Sequence, residues 1–193
     1  MDATENDVFD AFDALGLDRR LAVTADTVEN AWHALSREAH PDAETGDAAT
    51  AATLNRAKAT LAGAGSRLRH WLELSGVEPP RHGAVDGDLM ELFARVGGIL
   101  AEADAVLKQR AEATTALSKA LLAEPAFAAQ KATQDLLGRL QRERLAIEAR
   151  FSEFDADAAA GTFENALAAA GRLGFLEKWE AQCRGRIVSL ISG

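Results

Sequence analysis

Tyrosine is absent from this chain, cysteine occurs once and proline only four times. A lone cysteine, Cys183, excludes an internal disulfide framework and fits a reducing compartment. With no second cysteine beside it, zinc or cluster ligation is not expected, and packing as a small apolar residue is. Positive charge is also short: 21 Lys and Arg stand against 30 Asp and Glu, a formal net charge of −9. A chain with no cationic excess cannot displace phosphate counterions, which argues against nucleic acid as a partner. No apolar run reaches bilayer length, and Met1 leads into Asp2, Glu5 and Asp7 rather than a basic, apolar leader. The expectation is a soluble, cytoplasmic protein. No phosphate-binding loop, nucleophile–base pair or metal-ligand set is present, so catalysis is the least favoured role and no cofactor is expected. His33, His70 and His82 lack metal-ligand spacing and are expected to face solvent.

What the chain does have is alanine, leucine, glutamate and arginine, with few β-branched residues. Its 193 residues, 48% of them hydrophobic, suffice for a core and favour an all-α fold. Val8, Phe9, Phe12 and Leu15 recur at helical spacing, and Gly16 follows as a C-terminal stop. After a connector, Thr24 has the chemistry of an N-cap, its hydroxyl placed to accept from the backbone N–H near Thr27. Val28, Ala31, Trp32 and Leu35 share one face of a helix over about 25–39. Pro41 disfavours the α conformation at His40, so that helix closes there, and His40, Pro41 and Asp42 form an exposed corner. A third helix over about 47–61 presents Ala51, Leu54, Ala57 and Leu61. Gly63 and Gly65 break it, Ser66 caps a fourth carrying Leu68, Trp71, Leu72 and Leu74, and Gly76 ends that one.

Pro79, Pro80, Gly83 and Gly87 mark a linker at 77–87, which divides the chain into domains at 1–76 and 88–193. Three amphipathic stripes follow. Leu89, Leu92, Phe93, Val96 and Leu100 open the first, which runs to about Leu122 and ends at Glu124-Pro125. Thr133, Leu136, Leu140, Ile147, Phe151 and Phe154 form the second. Phe163, Leu167, Leu173, Leu176, Trp179, Cys183, Ile187 and Leu190 form the third, with Gly171 and Gly174 as places for a kink. Three such helices with short connections predict an antiparallel three-helix bundle.

A short helix, a helical hairpin whose connection reads His40-Pro41-Asp42, and a fourth helix together resemble a J-domain. The stretch Phe9 to Leu17 is similar to that family's aromatic-x-x-leucine-glycine opening, and Trp32 stands where a tyrosine is common. Leu54-Asn55-Arg56-Ala57 and the run from Arg67 to Gly76 resemble the HscB-type branch of iron–sulfur co-chaperones. So do Asp88-Leu89-Met90-Glu91 and Leu173-Gly174-Phe175-Leu176-Glu177-Lys178-Trp179 in the bundle.

The resemblance implies a co-chaperone that binds an Hsp70 of the HscA type, stimulates its ATPase, and delivers a cluster scaffold of the IscU type. By the same resemblance, Arg37, His40, Pro41 and Asp42 contact the chaperone, and Leu89, Met90, Phe93 and Phe175 contact the scaffold. Periodicity alone assigns Leu89 and Phe93 to a packing face, whereas Met90 and Phe175 fall beside the stripes. The sequence departs from the family where J-domains carry a basic stripe: those positions read Glu29, Asn30, His33 and Ala34, with Ala43 after the tripeptide. Acidic positions of the scaffold patch read Ala94 and Gly97. A face with fewer cations associates more slowly with an acidic partner. The alternative is therefore a J-like adaptor that has lost productive Hsp70 contact and binds another protein through its bundle.

Overall fold

The structure is a computed structural model that describes residues 9–38, 47–80 and 87–192. His40, Pro41, Asp42 and His82 lie outside the described residues. Helices follow one another as α1 (Ala11–Ala14), α2 (Ala25–Glu38), α3 (Ala48–Ala62), α4 (Ala64–Leu74) and α5 (Gly87–Glu112). Then come α6 (Ala116–Leu121), α7 (Ala123–Glu148), α8 (Phe151–Ala159) and α9 (Glu164–Ser192). No strand occurs among the described residues, so the fold is all-α.

Local chemistry explains most of the ends. The Thr24 hydroxyl accepts from the Thr27 N–H at 3.1 Å, and the Asp47 carboxylate accepts from Ala49 and Thr50 N–H at 3.2 and 3.1 Å. Both satisfy donors that a helix start leaves open. At Gly16 the backbone turns left-handed (φ +64°), and the Leu17 N–H reaches back to the Phe12 carbonyl at 2.9 Å. Gly76 (φ +75°) repeats the device, with Val77 N–H on the Leu72 carbonyl at 2.9 Å. Only glycine enters that region at no steric cost, so both stops expected from sequence are found.

Four expectations are corrected. The fourth helix begins at Ala64 with Gly63 as its cap, not at Ser66, whose hydroxyl donates backward to the Thr60 and Gly63 carbonyls at 2.7 and 3.1 Å. The first bundle helix stops at Glu112 instead of about Leu122, because Thr115 starts a new helix, α6, in a reciprocal capping box with Ser118. Pro125 does not end a helix. It lies in the first turn of α7, where its missing N–H has no intrahelical partner to lose. The second stripe breaks after Glu148, and Phe151 and Phe154 belong to the separate helix α8.

The chain forms two compact units. Unit 1 comprises Met1–Arg81 with Ile147–Gly171, and unit 2 comprises His82–Ala146 with Arg172–Gly193. The division differs from a cut in sequence order at the proline linker, because 147–171 packs with the N-terminal segment. In unit 1, Glu29 meets Lys58 and Trp32 meets Asn55. Three residues forward on α2 is three back on α3, so the two form an antiparallel hairpin. Helix α1 packs on α3, and α3 on α4. Segment 147–171 is held there by polar as well as apolar contacts. Asp155 accepts from the N–H groups of Leu21 and Ala22 at 2.9 and 3.2 Å, and the Arg67 guanidinium lies 5.2 Å over the Phe151 ring.

In unit 2, α5 and α9 run parallel. Phe93 meets Trp179, Asp104 meets Arg186, and Arg110 donates to the Leu190 carbonyl. Helix α7 runs against α9, since Glu143 and Arg144 near its C-terminus bond Arg172 and Glu180 while Ala129 clusters with Leu190. The order up, down, up is the antiparallel three-helix bundle predicted from the stripes. Its core residues sit at helical spacing, among them Leu92, Val96, Ala103, Leu136, Leu140, Leu176 and Cys183.

Candidate partner-binding surfaces

Two surfaces follow from the sequence argument, one on each unit. On unit 1, Arg37 is exposed in the last turn of α2, just before the segment that holds His40, Pro41 and Asp42. Upstream, the α2–α3 face is a closed network of charges and rings. Lys58 Nζ donates to Glu29 Oε1 at 2.7 Å and sits 3.6 Å over the centroid of Trp32. The Trp32 indole N–H donates to Asn55 at 3.0 Å, and the His33 imidazole lies 4.7 Å from the Trp32 ring and 3.1 Å from Glu29. Its bond to Lys58 holds the Glu29 carboxyl below its ordinary range, and the charges of Lys58 and His33 act the same way. Glu29 therefore offsets the charge of Lys58, the lysine packed beside the middle of α2.

On unit 2, Met90 and Phe93 project from α5 with 56% and 57% of their surface exposed. The Phe93 ring lies 6.1 Å from Trp179 on α9, and Phe175 lies 5.7 Å from the same indole at a 31° tilt. Trp179 is buried, so one indole backs two phenylalanines from different helices. Periodicity assigns Phe93 to packing, yet it is one of the most exposed large apolar residues of unit 2's first helix. Leu89, at 2% exposure, stands inside the core. Glu91 beside it is paired with Arg95 at 3.8 Å.

His70 overturns its expectation of facing solvent. It is buried, its Nε2 accepts the Ala11 N–H at 3.0 Å, and it lies 5.9 Å from the Phe9 ring and 6.1 Å from Phe12. Nothing near position 70 signals this, because the partners lie 59 residues away. Cys183 is buried as expected, and burial raises its thiol pKa. Among the described residues no group of three or more His, Cys, Asp or Glu could hold a metal ion, and no helix is long and apolar enough to cross a membrane.

No protein-family model matches the sequence, and no curated protein matches it. Among solved structures, the chaperone HscB from Vibrio cholerae is similar, with a TM-score of 0.54 over 91% of this chain and 96% of that one. The two are 20% identical, so the likeness is one of fold. The helical hairpin and the bundle joined to it, in that order, are an architecture this chain shares with HscB.

Proposed function

We propose that this protein is a J-domain co-chaperone that acts on an Hsp70 of the HscA type and presents to it an iron–sulfur scaffold of the IscU type. The observation that carries the reading is a coincidence of motif and fold. The sequence His40-Pro41-Asp42 falls between the two helices of an antiparallel hairpin, in a chain that is similar in fold to HscB over 91% of its length. Pro41 restricts the backbone of the tripeptide, and Asp42 offers an acceptor for a charge-assisted bond to a chaperone arginine. Arg37 adds a cation next to it. Met90, Phe93 and Phe175 offer the scaffold an apolar surface, with Leu89 supporting it from the core. The chain itself performs no chemistry; the hydrolysis belongs to the chaperone. A lone cysteine fits work in the reducing cytoplasm.

The test is steady-state ATPase of a cognate Hsp70 with scaffold present. Wild-type protein raises the rate, and His40→Gln abolishes the increase while leaving the helical circular dichroism unchanged. Equal stimulation by both proteins refutes the proposal.

One observation favours a second reading, a J-like adaptor without productive Hsp70 contact. Glu29 offsets the charge of Lys58, which leaves the face less able to attract an acidic chaperone. A wild-type protein that binds the scaffold yet leaves the ATPase rate untouched selects this reading.

A further inference from the structure

Helix α1 is four residues long, too short to persist alone, and its first N–H groups are all met from outside the helix or from its cap. Asp10 Oδ1 accepts from Phe12 and Asp13 at 2.9 and 3.2 Å, and the Asp10 carbonyl accepts from Ala14 at 3.0 Å. Ala11, the remaining donor, is fully buried, and among the described residues its N–H is met by His70 Nε2 on α4. An imidazole can accept at Nε2 only when that nitrogen carries no proton. We propose that His70 is a proton-operated latch on α1: neutral, it holds Ala11 and keeps α1 docked, and protonated it sets donor against donor and releases α1.

Charged groups face the ring from every neighbouring element. Asp10 caps α1 and pairs with Arg19 of the following connector. Glu73 Oε2, on α4 itself, is 4.0 Å from Nδ1. Arg56 of α3 lies 4.0 Å over the Phe9 ring. The carboxylates favour the imidazolium and the two guanidiniums oppose it. Desolvation is the largest influence and drives the pKa below the ordinary histidine value. A depressed folded-state pKa means the latch is fully closed above the unfolded value of about 6.5 and opens as pH falls below it. Because α1 packs on α3, its release removes one wall of unit 1. The latch is a property of unit 1 alone and needs no partner for its function or its test.

The experiment follows two NMR signals of the full-length protein through a pH titration: the His70 ring, and hydrogen exchange of the Ala11 amide corrected for intrinsic rates. Protection of Ala11 is expected to fall by about 10- to 100-fold as pH drops from the unfolded histidine value of about 6.5 to the lower midpoint of the His70 ring, and to level off below that midpoint. His70→Gln supplies a side-chain carbonyl that accepts without titrating, and its Ala11 protection should stay flat over the same range. Ala11 protection that is unchanged down to the His70 midpoint overturns the latch, as does an equal fall in His70→Gln. If the glutamine variant fails to fold, the wild-type protein decides the matter alone, because protection that stays flat down to the His70 midpoint overturns the latch.

Discussion

Unit 1 holds 19 acidic and 9 basic residues, whereas unit 2 holds 11 and 12, so the net negative charge of the chain comes from unit 1 and unit 2 is close to neutral. The two units also use polar side chains differently. In unit 1, buried His70 reaches the backbone of α1, buried Arg67 reaches the Leu61 carbonyl and the Phe151 ring, and Asp155 ties α8 to the connector before α2. In unit 2, long helices are joined by ion pairs between facing positions: Arg144 with Glu180, Arg172 with Glu143, Arg186 with Asp104. Short elements bury little surface each and depend on specific non-local bonds. Long amphipathic helices depend on a repeating stripe and tolerate the loss of any one pair better.

That contrast can be broken. Phe12→Ala should have the largest effect, about 3–5 kcal/mol, because it empties a fully buried site on the shortest helix and removes one of the rings beside His70. Urea unfolding followed by Trp32 and Trp71 should report the loss in unit 1, while Trp179, observed with the other two tryptophans replaced, should move little. Equal shifts in both units would mean that they unfold as one. Glu180→Gln sharpens the other side. Its buried carboxylate accepts from Arg144 and Arg184, both at 3.0 Å. Breaking a fully buried pair costs up to about 5 kcal/mol, but both arginines keep contact with water, so about 1–3 kcal/mol is expected, read by Trp179. Lys131→Ala, which removes an exposed i,i+4 pair with Asp135, should change stability by no more than about 0.5 kcal/mol. A larger loss there would show that unit 2 depends on its surface pairs as well.

How far each unit could be read from sequence follows from the same contrast. The bundle was legible because its signal is periodic and local: Leu92, Val96, Leu136, Leu140, Leu176 and Cys183 are all core residues at helical spacing. Thr24, Gly16 and Gly76 acted where their chemistry said they would. The end of α5 was missed because apolar spacing continues past Glu112, although Thr115 and Ser118 carried a capping signal three residues apart. His70 and segment 147–171 were out of reach for another reason. Their partners, Ala11 for the one and Leu21, Ala22 and Arg67 for the other, lie tens of residues away, and no local pattern encodes such a pairing. The patch was half legible. Met90 and Phe175 fell beside their stripes, but only three-dimensional placement separates exposed Phe93 from buried Leu89 one turn before it.

The solitary thiol at position 183 gives unit 2 an internal clock. It is wholly enclosed, and no other cysteine in the chain competes for an alkylating reagent. The rate at which iodoacetamide consumes it therefore reads how often that part of the molecule breathes open, with no engineered reporter required.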